Sequence, residues 1–191
     1  LEKIFFIFFS SISVFLLKTR LLPYREGFLY KVSQKMNYHA YSKLLKSLGK
    51  GTVIHRSVDI RGYKNVSIGD SCNLGHGVEL YGDAGIDIGD NVGIAPFVRI
   101  YTTGTSVKSL IMQLKENKPR SEKIREFNSV KIGSNTTIFT NAMITPGVKI
   151  GKNCVIGPNT IVNSDLADNS AVFCEPNKII NYPLNTDKLQ K

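Results

Sequence analysis

The sequence predicts a mainly β fold in which short parallel strands coil around a three-sided core. Three registers with a period of six residues predict it. The first register holds aliphatic residues: Ile54, Ile60, Ile68, Leu74, Leu80, Ile88, Ile94, Ile100, Ile132, Ile138, Ile144, Ile150, Ile156 and Val162. The second holds small or medium residues four positions later: Cys72, Val78, Val92, Val98, Thr136, Ala142, Val148, Cys154, Thr160 and Leu166. The third holds glycine or alanine directly after the aliphatic residue: Gly69, Gly75, Gly89, Ala95, Gly133, Gly151 and Gly157.

Neither an α-helix nor an alternating strand produces this period, because their side chains repeat about every 3.6 and 2 residues. Each six-residue unit is therefore expected to form one strand and one turn, and three units close one rung of the coil. The aliphatic residue points inward and stacks on its counterpart in the next rung. A single rung cannot bury its own face, so the stability of the fold comes from stacked neighbours.

The period is interrupted three times, and the interruptions define the organisation of the chain. Steps of eight residues separate Ile60 from Ile68 and Leu80 from Ile88, and a long step separates Ile100 from Ile132. We expect a coil over residues 51–174 with a loop excursion at 104–129. A C-terminal tail, 175–191, follows the coil.

Residues 1–50 form a separate apolar and basic segment. Residues 4–17 carry no charge and precede Lys18 and Arg20, but a membrane-spanning helix needs about 20 apolar residues. One interpretation is a helix over residues 4–22 inserted shallowly in a membrane, as peripheral contact. The other is a helix packed on the body of the protein or on a partner subunit. Helical spacing predicts one or two further amphipathic helices within residues 24–48.

The formal net charge of +10 is concentrated in that segment, where nine Lys or Arg face two Glu. This favours a local anionic partner such as lipid and argues against nucleic acid. Cys72, Cys154 and Cys174 form no C-x-x-C pair, so no metal site is expected. We expect a cytoplasmic protein, attached to the cytoplasmic face of the inner membrane if residues 4–22 insert, with Cys72 and Cys154 in the core.

Three stretches resemble the hexapeptide-repeat acyltransferases, and within them the maltose and galactoside O-acetyltransferases and their relatives in polysaccharide biosynthesis. They are residues 88–103, the interruption of the repeat that follows them, and residues 144–157. The end of the repeats, Cys174-Glu-Pro-Asn-Lys178-Ile-Ile, resembles the closing motif of the same family. The resemblance implies a left-handed β-helix, which departs from the usual right-handed crossover. It also implies a homotrimer with sites between subunits, acetyl-CoA as co-substrate, and a saccharide acceptor in a surface polysaccharide or its lipid-linked precursor.

The resemblance implies a catalytic histidine where this sequence has Thr105. A threonine hydroxyl is not a base near neutral pH without help. The family's acceptor-binding asparagine is replaced by Gly75 or Gly77. We expect His76, with Asp83, to be an alternative base, although both residues also suit ordinary solvated turns.

Binding positions follow from the same resemblance. Asp83 and Tyr101 are expected on the acceptor side. Acetyl-CoA is expected on the outer surface of the later rungs, mostly through backbone groups, at Ala142, Thr160, Ser164 and Lys178. Lys178 would meet a CoA phosphate as a point charge.

Two other functions remain open. A catalytically degenerate trimeric β-helix would bind CoA or a saccharide without turnover. A γ-class carbonic anhydrase on the same fold needs three zinc-binding histidines at a subunit interface. His39, His55 and His76 do not offer that set, because His39 lies outside the repeats.

Overall fold

The computed structural model describes residues 28–105, five positions between 110 and 120, and residues 126–174. The predicted membrane segment 4–22 and the tail 175–191, with Lys178, lie outside the described residues. Most of the predicted excursion at 104–129 also lies outside them.

Three parallel sheets form the faces of a triangular coil, with strands numbered in chain order. Face A has five strands: β1 (Ser47–Leu48), β4 (Val66–Ile68), β7 (Ile86–Ile88), β12 (Val130–Ile132) and β15 (Lys149–Ile150). Face B has six: β2 (Val53–Ile54), β5 (Asn73–Leu74), β8 (Gly93–Ile94), β13 (Thr137–Ile138), β16 (Val155–Ile156) and β18 (Ala171–Val172). Face C has five: β3 (Asp59–Arg61), β6 (Glu79–Tyr81), β9 (Arg99–Tyr101), β14 (Met143–Ile144) and β17 (Ile161–Val162). The predicted mainly β coil is confirmed, and its parallel pairing is consistent with a left-handed β-helix.

The strand register explains the core. Within face B, Ile54 pairs with Leu74, Leu74 with Ile94, and Ile94 with Ile138. Equivalent residues therefore stack from rung to rung, and every one of the fourteen predicted inward positions is buried. Cys72 and Cys154 lie in the same core, as predicted. Burial raises the pKa of the Cys72 thiol, which favours its neutral form.

The faces meet at three corners. Corner AB comprises residues 49–52, 69–72, 89–92, 133–136, 151–154 and 167–170. Corner BC comprises residues 55–58, 75–78, 95–98, 139–142 and 157–160. Corner CA comprises residues 62–65, 82–85 and 102–129, with the shorter links 145–148 and 163–165.

Corner AB is held by a ladder of asparagine side chains. Asn91 donates to Asn135 at 2.9 Å, Asn135 to Asn153 at 3.1 Å, and Asn153 to Asn169 at 2.9 Å. All four adopt the left-handed backbone conformation, with φ between 54° and 61°. Asparagine tolerates that conformation better than most residues, so one residue type both shapes the turn and links successive rungs.

Every departure from the six-residue step lies at corner CA. The two eight-residue steps and the long step all leave face C and enter face A. The last step is shorter than six, because Leu166 bridges to Ile150. Leu166 was expected in the register of small residues, and the structure places it in the aliphatic register instead. Strands β10 (Thr103–Gly104) and β11 (Glu126–Phe127) pair antiparallel at the base of the excursion.

One helix, α1 (Phe28–Leu44), packs against the first rung. It continues through Asn37–His39, and the chain enters β1 soon after it ends, so Leu48 belongs to a strand. The Tyr38 hydroxyl donates to the Gly49 carbonyl at 3.2 Å, and the Tyr41 hydroxyl donates to the Val58 carbonyl at 3.3 Å. Within the described part of the chain, no helix is both long enough and apolar enough to cross a membrane.

Candidate active site

A surface cleft of about 310 Å³ opens at corner CA, where the long excursion leaves the coil. Its lining residues are Arg61, Tyr81, Asp83, Thr103, Gly104 and Thr105. Two residues singled out from the sequence, Asp83 and Thr105, therefore line the same cleft. Both are exposed, so a ligand in the cleft can reach them.

One wall of the cleft is built by stacked residues of β3 and β6, and a residue of β9 packs behind them. The Arg61 guanidinium lies 4.1 Å from the centre of the Tyr81 ring, a cation–π contact. The same guanidinium is 3.5 Å from the Asp59 carboxylate. The Tyr81 ring in turn packs against the Tyr101 ring, with centroids 5.0 Å apart. Arg61 is thus held against the Tyr81 ring, where both residues line the cleft.

Thr102 fixes the turn that carries Asp83. Its hydroxyl is fully buried, donates to the Tyr81 carbonyl at 2.7 Å and accepts the Ala84 backbone N–H at 3.0 Å. The Asn65 amide donates to the Asp83 carbonyl at 2.9 Å. Buried polar groups with both partners satisfied make a turn rigid, so the position of Asp83 is set by the coil beneath it.

Tyr101 lies behind the lining of the cleft and does not contribute to it. Its hydroxyl donates to a Glu79 carboxylate oxygen at 2.7 Å. Burial, together with that hydrogen bond and the Glu79 charge, raises the pKa of Tyr101 to about 12. The phenol is therefore protonated at neutral pH, and its proton is donated to the Glu79 carboxylate.

His76 lies at corner BC, at the opposite end of β6 from Asp83. The three residues of β6 stand between them, about 10 Å of extended chain. The structure therefore does not bring these two predicted residues together within one chain. His76 instead contacts Ser57, whose hydroxyl oxygen lies 2.7 Å from its Nδ1 atom.

Two predicted acetyl-CoA positions also belong to corner BC. Ala142 is fully buried and Thr160 is 3% exposed. The Thr160 hydroxyl accepts the Cys174 backbone N–H at 3.0 Å. Only backbone groups could meet a ligand at these two positions. Ser164 is exposed at corner CA.

The sequence reasoning missed Ser57 and Phe97. Phe97 has a φ of 61°, in the left-handed region, and its side chain is 50% exposed. The following rungs place Asn141 and Asn159 at the same corner position, with φ of 63° and 55°. Aligning the rungs against one another would have identified a phenylalanine where the two following rungs have asparagine.

No group of three or more His, Cys, Asp or Glu side chains that could hold a metal ion occurs within the residues that the structure describes.

Comparison with known proteins places the repeats in a class. Residues 129–164 match the family model described as bacterial transferase hexapeptide (six repeats), and residues 65–95 match the hexapeptide repeat of succinyl-transferase. These two segments of the chain are therefore similar to the hexapeptide repeats of bacterial transferases. No curated protein sequence matches it.

Several solved structures share its fold. A maltose O-acetyltransferase of Clostridium difficile 630 is 26% identical, with a TM-score of 0.63, over 92% of this chain and 87% of that one. A hexapeptide-repeat acetyltransferase of Vibrio cholerae O1 biovar eltor, in complex with acetyl-CoA, is 20% identical, with a TM-score of 0.65, over 90% and 84%. A galactoside acetyltransferase in complex with coenzyme A is 23% identical, with a TM-score of 0.65, over 90% and 78%.

Proposed function

We propose that this protein is an O-acetyltransferase that moves an acetyl group from acetyl-CoA to a hydroxyl of a saccharide. The observation that carries the proposal is its similarity to the maltose O-acetyltransferase over nearly the full length of both chains. The finer assignment is to a surface polysaccharide or its lipid-linked precursor, acted on by a homotrimer in the cytoplasm. A membrane contact through residues 4–22 would hold it beside a lipid-linked acceptor.

The cleft at corner CA supports an acceptor rich in hydroxyl groups. Arg61 offers hydrogen-bond donors in a fixed plane, and the Asp83 carboxylate is an acceptor. The Tyr81 ring lies between Arg61 and Tyr101, so the cleft offers the acceptor polar groups and not an open aromatic face. A sugar ring presents hydroxyl groups at its edge, and these polar groups can bind them.

Acetyl transfer needs a base for the acceptor proton and donors for the oxyanion on the thioester carbon. Thr105 supplies no such base on its own. The predicted acetyl-CoA positions Ala142, Thr160 and Ser164 belong to the later rungs, and Lys178 follows them in the predicted tail. The residue at the expected histidine position, Thr105, therefore does not account for the base that the reaction needs.

The test is turnover of acetyl-CoA by the full-length protein, followed as release of the CoA thiol. Maltose, a galactoside and a polysaccharide preparation serve as acceptors, and each product is analysed by mass spectrometry for an added acetyl group. We expect acetyl ester on at least one saccharide. Binding of CoA without ester formation on any acceptor would contradict the proposal.

The second candidate is a degenerate β-helix that binds CoA or a saccharide without turnover, and Thr105 at the histidine position favours it. The variant Thr105→His separates the two functions. If the native site is degenerate, this variant creates turnover that the unaltered protein lacks. If the native site is active through another base, the unaltered protein turns over acetyl-CoA and the added histidine is not required.

A further inference from the structure

Corner BC carries a chain of hydrogen bonds through two histidines and one serine. The Ser57 hydroxyl oxygen lies 2.9 Å from His55 Nδ1 and 2.7 Å from His76 Nδ1. The two imidazole rings lie edge to face, with centroids 5.1 Å apart. Successive rungs bring these residues together, since His55 and Ser57 precede β3 and His76 precedes β6.

The surrounding donors assign the protons. The Ser57 backbone N–H donates to His55 Nδ1 at 3.3 Å, so that nitrogen carries a lone pair and accepts the Ser57 hydroxyl proton. The Gly77 backbone N–H donates to the Ser57 hydroxyl oxygen at 3.0 Å. One acceptor site remains on that oxygen, and it takes the N–H of His76 Nδ1. The network therefore places the other nitrogen of neutral His76, Nε2, in its lone-pair form.

This arrangement makes His76 suited to accept a proton. The side chain is exposed, and within the described residues Nε2 has no hydrogen-bond partner. An imidazole whose one N–H is held by an oxygen, and whose other nitrogen is bare, is the arrangement of an oriented general base. Ser57 is a positioning residue in it, because it acts only through His76.

Phe97 adds an apolar surface directly beside His76. Their rings lie edge to face with centroids 5.3 Å apart. The Phe97 ring also covers Gly77, where an added Cβ would lie 2.7 Å from the ring. A bulky residue in the left-handed conformation is strained by roughly 1–3 kcal/mol, and strain of this kind is often retained at functional sites. Nothing in the packing of the coil requires this ring, since asparagine occupies the equivalent position of the next rungs.

We propose that the reacting sugar of the acceptor binds at corner BC, with His76 as the general base and Phe97 as the platform for its ring; the cleft at corner CA, at the other end of β6, would contact other parts of the same acceptor. This inference rests on the proposed acetyltransferase function. Two of the positions expected near acetyl-CoA, Ala142 and Thr160, lie at this same corner in the later rungs. The acceptor would therefore lie between the base and the thioester along one edge of the coil.

The reaction balances with these groups. The acceptor hydroxyl gives its proton to His76 Nε2 while its oxygen attacks the thioester carbonyl carbon. The C–S bond then breaks, and the thiolate of CoA takes the proton back from His76. The products are the acetyl ester and CoA thiol, and His76 returns to its starting form.

The main test compares His76→Ala with the unaltered full-length protein in the acetyl-transfer assay. We expect kcat to fall by about 10²- to 10⁴-fold, with the KM for acetyl-CoA unchanged and partial recovery when imidazole is added to the buffer. His39→Ala, an exposed histidine on α1, is the matched control and keeps full activity. Turnover by the unaltered protein together with full activity of His76→Ala overturns the role of His76 alone. Absence of turnover in the unaltered protein overturns the proposed function, and the role of His76 with it.

Two further variants test the neighbours of His76. Ser57→Ala lowers kcat about tenfold, whereas Ser57→Thr, which keeps the hydroxyl, restores most of it. Equal rates in these two variants would show that the hydroxyl does not orient the base.

Phe97→Asn raises the KM for the acceptor about tenfold and leaves the KM for acetyl-CoA unchanged. An unchanged acceptor KM would overturn the role of Phe97 as a platform.

Discussion

The two corners that border face C differ in how they are built. At corner BC the chain always takes six residues from one aliphatic position to the next, as from Leu74 to Leu80 and from Ile94 to Ile100. At corner CA the number of residues in this step varies, and every departure of the coil from a six-residue step lies there. A constant step lets side chains of successive rungs stack, which produces the array of His55, His76 and Phe97. A variable step places chain segments side by side, which produces the cleft of Asp83 and Thr105.

One fold therefore offers two ways to build a site. Corner BC depends on the register of the coil, so any slip between rungs would separate Ser57 from His76. Corner CA depends on what is inserted between rungs and on the hydrogen bonds that anchor the insertion. Variants that affect both corners, one corner or neither can distinguish the role of the rung register from the role of the anchoring hydrogen bonds.

The largest effect is expected from Ile100→Ala, because Ile100 lies on face C between the two corners and is fully buried. The cavity should lower the free energy of unfolding by about 2–5 kcal/mol. Ile161→Ala, on the outer side of the same face and 63% exposed, is the control. Its effect should stay within about 0.5 kcal/mol. Urea denaturation at one fixed protein concentration measures both, and equal losses in the two variants would contradict the stacked core.

A smaller effect, limited to corner CA, is expected from Thr102→Val. The change keeps the side-chain shape but leaves the Ala84 N–H without its buried acceptor, while the Tyr81 carbonyl keeps only the Thr102 backbone N–H. The expected loss is about 1–3 kcal/mol. Thr137→Val on the exposed side of face B is the control and should change little. If Thr102→Val proves as stable as its control, the corner is not anchored by this hydroxyl.

A gain in stability is expected at corner BC from Phe97→Asn. Asparagine relieves the left-handed strain that the phenylalanine carries, while the ring contact with His76 is lost. We expect a net gain of about 1 kcal/mol in the free energy of unfolding. Together with the weaker acceptor binding expected above, this would show a strained residue kept for function. A loss of stability would instead indicate that the ring is a structural contact.

The smallest effect concerns alkaline pH and the tyrosine between the two corners. The folded protein raises the pKa of Tyr101 to about 12, above its ordinary value of 10.0. Between pH 10 and 12 the unfolded chain loses this proton while the folded chain keeps it, so stability falls as pH rises. Tyr101→Phe should flatten this fall slightly, because Tyr101 is partly exposed and its interactions are screened.

Tyr41→Phe provides the matched change outside the coil, on α1, since Tyr41 also has a pKa of about 12. Urea midpoints measured from pH 9 to 12 should show a flatter profile in each variant. An unchanged profile in Tyr101→Phe would mean that the phenol of Tyr101 titrates alike in the folded and unfolded chains.

The sequence predicted the coil well because inward stacking leaves a periodic trace. Every predicted inward aliphatic residue is buried, and both core cysteines lie where their register placed them. Leu166 was assigned to the wrong register, because a step of four residues looks the same as the spacing between the two inward registers. Only its bridge to Ile150 distinguishes them.

The sites were harder to predict because their contacts cross rungs of unequal length. Ser57 meets Gly77 across 20 residues, while Asn91 meets Asn135 across 44. A reader of the sequence who assumes a constant rung would pair the wrong residues. The sequence nevertheless placed His76 correctly at an exposed corner. What it lacked was the serine that connects His76 to His55.

Confinement of all length variation to corner CA has a practical consequence. At this one corner, peptide segments of different length and composition can be inserted without changing how the interior of the coil is packed. Exchanging the segment between Thr105 and Glu126 for one from another protein should leave the stacked isoleucines in place. Libraries of segments inserted at corner CA offer a route to new substrate preferences on an unchanged coil.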